Sequence, residues 1–141
     1  MAERLCERLI ADRLNCSVDA LDPHGIVVLS AGLSAGEGQP ASANAVEVLH
    51  EYDIDMSNHR SLILNESHVR FADFIFAMTR HHREKILSNW HNVDSRLSVL
   101  RMDGGDIADP IGGSMSTYRA CAEHIRAEIS RRLDEIIGTK K

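Results

Sequence analysis

Apolar positions fall along this chain in two rhythms, and the rhythms alternate. At the start, Ala2, Leu5, Leu9 and either Arg13 or Leu14 share one side of a helix, with charges between them. Ser17–Gly25 is rich in turn residues. Ile26–Gly32, "IVVLSAG", is a continuous apolar run ending in small residues, the pattern of a strand buried on both faces. Leu33–Ser42 reads as a loop, in which Pro40 can open the next helix. Ala45, Val46, Leu49 and Tyr52 then make an apolar stripe, which predicts a helix over Ala41–Asp53.

The alternation repeats. Ala72–Thr79, "ADFIFAMT", reads as a second buried strand, and Arg80–Trp90 as a short helix. Arg96–Met102 alternates enough to be a third strand at an edge. "DGGDIADPIGGS", Asp103–Ser114, is a long loop. Met115–Ile137 is the clearest helix, with Tyr118, Ala122, Ile125, Ile129, Leu133 and Ile136 at helical spacing. Strands alternating with helices predict parallel βα units in a doubly wound, three-layer α/β fold. Sites in such sheets lie beyond the carboxyl ends of the strands. The loops after Gly32, Thr79 and Met102 therefore converge. The chain opens directly on a helix without a capping side chain, and only three strands follow, so the predicted sheet is thin.

Composition narrows the class. The chain has 141 residues, enough for one domain over 1–141. Its formal net charge of -5 argues against a nucleic-acid partner. No apolar run reaches membrane-spanning length, and the charged N-terminus carries no secretory pattern. Cys6, Cys16 and Cys121 are too few and too uneven for a disulfide framework, which points to a reducing, cytoplasmic location. Of the eight histidines, the adjacent His81 and His82 do not share a helix face, and no zinc-ligand spacing occurs. No metal is expected.

The candidate chemistry sits in the last loop. Asp109 precedes Pro110, which favours extended backbone at Asp109 and aims its carboxylate outwards, while Gly112 and Gly113 let a substrate approach. A carboxyl held in this way suits a general acid. Ser114 reads as the cap of the last helix.

With "MAERL" at the start, "SAG" at Ser30–Gly32, "HRS" at His59–Ser61, "ADFIFAMT", and "DPIGGS" at Asp109–Ser114, the chain resembles the low-molecular-weight protein phosphatases over essentially its whole length. The "AMT" before a basic helix and the "DP-x-GGS" loop resemble the bacterial branch that acts on phosphoarginine in proteins. The phosphotyrosine branch typically carries aromatics after its Asp-Pro, where this chain has Ile111 and two glycines. The resemblance implies a parallel sheet of order 2-1-3-4 and no cofactor, metal or organic. It implies a phosphorylated protein as substrate, and nothing in the pattern sets an oligomeric state. It further implies a cysteinyl-phosphate intermediate, with a Cys-x5-Arg-Ser loop binding phosphate and Asp109 protonating the leaving group and then activating water. Ser30 and His59 would brace the phosphate loop, and Thr79, Pro110 and Ile111 would line the site, Thr79 having the capping of the next helix as its alternative.

One part of that pattern is missing. Six positions after Cys6, Cys16 and Cys121 stand Asp12, Asp22 and Ala127, so no cysteine here belongs to a Cys-x5-Arg loop. The expectation is a chain begun late, without the family's first strand and nucleophile, and inactive as written. A non-catalytic remnant that binds a partner protein is the alternative. The absence of cysteines between Cys16 and Cys121 excludes the family's arsenate reductases, and no Gly-rich fingerprint supports a nucleotide-binding module.

Overall fold

A computed structural model describes residues 1–33 and 37–138. Five α-helices and two strands follow in the order α1 (Ala2–Leu14), α2 (Ala43–His50), α3 (Glu66–Phe71), β1 (Ile75–Ala77), α4 (Arg80–Asn89), β2 (Leu97–Val99) and α5 (Met115–Gly138). Short 3-10 turns occupy Val18–Ala20 and His91–Arg96.

β1 and β2 are parallel, with Ile75 opposite Leu97 and Ala77 opposite Val99. Parallel strands need a crossover, and α4 supplies it. Side-chain alternation then divides the interior in two. Phe76, Met78 and Leu100 join a large core with Leu5, Ile10, Val48, Leu49, Ile125 and Ile129, drawn from α1, α2 and α5. Ile75, Ala77, Leu97 and Val99 join a smaller core with Val69 of α3 and Ile86 of α4. Helices on both faces of a parallel sheet make the three-layer α/β arrangement the periodicity predicts.

α5 is fastened to the sheet by a buried cation. Arg132 is 9% exposed. Its Nη2 donates to Val99 O at 2.7 Å, its Nε to Leu100 O at 3.1 Å and its Nη1 to Glu135 at 3.0 Å. The guanidinium lies 5.2 Å from the Phe76 ring centroid. Among the described residues, no helix is long and apolar enough to cross a membrane.

Several expectations need correction. Ile26–Gly32 is not a strand buried on both faces. Only Gly32 forms a bridge, parallel to Ile63. Ile26 is buried and Val28 packs on the large core, but Val27 and Leu29 are 51% and 52% exposed. Burial on the second face needs a neighbouring strand to carry the α3–α4 layer across, and no described residue pairs with this segment there. α2 is shorter than predicted, because Ser42 rather than Pro40 opens it: the Ser42 hydroxyl accepts from Ala45 N at 3.3 Å. Pro40 instead pairs across to Arg60. Of the predicted loop Leu33–Ser42, residues 34–36 lie outside the described residues. The second and third predicted strands are shorter than expected, spanning Ile75–Ala77 and Leu97–Val99. α3 has no counterpart among the predicted elements.

Candidate active site

The loop after β2 doubles back along β1. Buried Ile107 donates its N–H to Met78 O at 2.8 Å, so the next residues emerge at the carboxyl end of β1. Asp109 follows and is exposed. Its Oδ1 accepts from Ile111 N at 3.0 Å, closing an Asx turn. Gly113 N donates to Pro110 O at 2.8 Å across a β-turn in which Gly112 has φ +79°, the left-handed conformation that suits glycine at that place. A Cβ on Gly113 would stand 2.9 Å from Pro110 O. Both glycines are therefore needed by the turn itself. Ile111 crowns the turn at 78% exposure. Ser114 caps α5, its hydroxyl accepting from Thr117 N at 3.3 Å.

A second group of residues gathers at the first turn of α1. Glu3 Oε1 accepts from both Ser30 N at 2.8 Å and Ser30 Oγ at 2.9 Å. His59 is half-buried, and that burial pushes its imidazole below its ordinary pKa, with the Glu3 carboxylate opposing. Glu3 is hydrogen-bonded to Ser30 and lies within electrostatic reach of His59, twenty-nine positions beyond Ser30.

Cys121 lies beside the Asp-Pro loop. Its Sγ lies 3.6 Å from Ala108 O. Burial raises its pKa, the Met1 amine lowers it and the Asp109 carboxylate raises it, so the thiol is within electrostatic reach of both. The Met1 amine in turn feels Glu3 and Cys121. Beside Asp109 an open pocket of about 450 Å³ is lined by Pro110, Thr117, Cys121 and His124 among others. Ser30, His59 and Ile111 do not line it.

Thr79 does not join the cluster through its side chain. Its hydroxyl accepts from His82 N at 3.1 Å as the cap of α4, and Asp106 accepts from Arg80 N at 2.9 Å beside it. This is the capping role, one of its two readings.

Burial pushes the Cys6 thiol up to about 12, and it packs against the large core. Cys121 is likewise raised. Cys16 follows the Asn15 cap at the other end of α1. The described residues hold no group of three or more His, Cys, Asp or Glu placed for a metal ion.

Three comparisons bear on this geometry. A family profile described as low molecular weight phosphotyrosine protein phosphatase matches residues 1–140. A protein-arginine-phosphatase of Geobacillus stearothermophilus is 34% identical over 116 residues, covering 79% of this chain and 78% of its own length. A probable low molecular weight protein-tyrosine-phosphatase, EpsP, of Ralstonia nicotianae is 35% identical over 103 residues, covering 72% and 71%. The crystal structure of a low molecular weight protein tyrosine phosphatase from T. tengcongensis superposes with a TM-score of 0.82 at 30% identity, over 95% of this chain and 88% of that one.

Proposed function

The chain belongs to the low molecular weight phosphotyrosine protein phosphatase family, and we propose that it forms the body of a phosphatase that prefers phosphoarginine to phosphotyrosine in proteins. Asp109 is its general acid and base. The observation that carries this reading is the exposed Asp109 carboxylate, set in a two-glycine turn beside an open pocket.

The chemistry runs in two steps. A cysteine thiolate attacks phosphorus, and the bond from phosphorus to the arginine nitrogen breaks as the Asp109 carboxyl gives that nitrogen its proton. The Asp109 carboxylate then takes a proton from water, whose oxygen attacks phosphorus; the bond to sulfur breaks and phosphate leaves. The nucleophile is not among the 141 residues, where no cysteine precedes an arginine by six positions. It comes from a Cys-x5-Arg segment placed ahead of Met1, and the 141 residues alone turn nothing over. The free cysteines suit a reducing cytoplasm.

Substrate preference follows from the Asp-Pro turn. A phosphotyrosine ring gains from a flat aromatic wall. Ile111, Gly112 and Gly113 offer none, while exposed Ile111 gives an aliphatic surface for an arginine side chain. The test uses the chain preceded by its own Cys-x5-Arg segment. Measured kcat/KM should favour a phosphoarginine peptide over the phosphotyrosine peptide of the same sequence, and the reverse order overturns the preference. If no such segment precedes Met1 in the reading frame, the chain is a non-catalytic relative that binds a partner protein.

A further inference from the structure

The loop that carries Asp109 is held from outside itself, by the first turn of α2. Asn44 Nδ2 donates to Gly113 O at 3.2 Å. Ser42 Oγ donates to the hydroxyl of buried Tyr118 at 3.2 Å while capping α2 through Ala45 N. One helix start therefore grips the segment at two points, five residues apart.

The path from Asn44 to the carboxylate is short and continuous. Gly113 closes the β-turn onto Pro110 O at 2.8 Å. Within that turn, Ile111 N donates to Asp109 Oδ1 at 3.0 Å. Gly112 and Gly113 give the turn little stiffness of its own, since glycine has the widest backbone freedom. Exposed Asp109 has no other hydrogen bond among those described. A displacement of Gly113 would therefore pass directly to the carboxylate. We propose that Asn44 is a positioning residue for Asp109, fixing the second glycine of the Asp-Pro turn so that the carboxyl is aimed at the leaving group. This rests on the reading of Asp109 as the general acid.

The informative variant is Asn44→Asp. It keeps the shape of Asn44 but only accepts hydrogen bonds when ionised, so the link to Gly113 O is lost. An acidic residue in the first turn suits the helix dipole, so α2 is retained. The enzyme carrying its nucleophile segment is assayed on two aryl phosphates, one with an activated leaving group such as p-nitrophenol and one with an unactivated phenol. A misaimed acid harms the unactivated substrate more. The ratio of kcat/KM values, activated over unactivated, should rise by about three- to tenfold, the range that one neutral hydrogen bond supports. Asn44→Asp added to Asp109→Asn should move the ratio no further. Equal losses on both substrates, or an undiminished effect without Asp109, overturn the proposal and leave Asn44 a structural residue. If Asp109→Asn itself leaves the ratio unmoved, the general-acid reading falls and the proposal with it. A ratio that moves in Asp109→Asn but not in Asn44→Asp overturns the Asn44 proposal alone. Amide exchange at Ile111 and Gly113 should also quicken about three- to tenfold in Asn44→Asp, and unchanged exchange overturns the link whatever the activity.

Discussion

Replacing Asp109 by asparagine separates the shape of the Asp-Pro turn from its chemistry. The carboxylate is exposed, so the substitution removes no packing. Its one described hydrogen bond accepts from Ile111 N at 3.0 Å, and the amide oxygen of asparagine accepts equally well. The structural cost is that of an ordinary surface change, within about 0.5 kcal/mol, or about 2 °C in Tm for a chain of this size. What is lost is the proton. General acid catalysis contributes about 10²–10⁴-fold, so kcat should fall by that factor, about 2.7–5.4 kcal/mol of transition-state stabilisation. The assay is steady-state phosphate release by the enzyme carrying its nucleophile segment, with binding of orthovanadate measured alongside. Orthovanadate affinity should stay within about twofold, since the phosphate-binding groups are untouched. Asp109→Ala is the control, because it removes the turn bond as well and should also loosen residues 110–113. An Asp109→Asn enzyme that keeps more than about a third of its kcat would make Asp109 a turn residue and nothing more.

Two further outcomes follow from the scaffold. Arg132→Ala removes a guanidinium that donates to Val99 O and Leu100 O, and charge-assisted hydrogen bonds of this kind are worth about 1.5–3 kcal/mol each. Tm should drop by roughly 10–20 °C; Arg132→Lys, a point charge without the fork, should recover less than half of it, and a drop under about 4 °C for alanine would refute the role. Because burial holds the folded His59 pKa below its ordinary value of about 6.5, the unfolded chain takes up that proton first as pH falls, so stability is full above about pH 6.5 and declines below it until the folded imidazole titrates. His59→Gln should flatten that part of a Tm–pH curve; the hydrogen-bonded carboxylates of Asp103 and Asp106, whose pKa values are lowered, contribute only at more acidic pH and do not mask it.

The legible parts of this chain are those whose signal is local. α1, α2 and α5 each carry an apolar stripe at helical spacing, and β1 and β2 lie inside apolar runs flanked by polar loops. Ile26–Gly32 has the same composition as a buried strand, but whether Val27 and Leu29 are covered depends on a neighbour, which no local pattern encodes. α3 went unread because it is six residues long and its capping box is unusual. Asn65 accepts from His68 N, and His68, where a Glu or Gln is usual, accepts back from Asn65 N. In the site, the Asp-Pro pair and two glycines mark Asp109 in one short window. Ser30 and His59 were visible only by resemblance. The contacts that organise them are long-range: Glu3 reaches Ser30 across 27 positions, and Asn44 reaches Gly113 across 69. Glu3 stood within the matched "MAERL" segment, so a signal for it existed; nothing in the sequence marked Asn44.

The way the helices begin supports the same division between scaffold and site. α2, α3, α4 and α5 all start on a side-chain cap, from Ser42, Asn65, Thr79 and Ser114. Each of these starts is closed to any other acceptor at the capped amide. The first turn of α1 is held through a different kind of side-chain contact. An acidic residue in the first turn of a helix is favoured by the positive end of the helix dipole. The one carboxylate in that first turn, Glu3, is turned aside by Ser30 N and Oγ, which together occupy its Oε1. Bound by Ser30, the same carboxylate braces the segment after Ile26. The contact ties the first turn of α1 to a residue 27 positions on, so Ser30 is fixed by the scaffold itself.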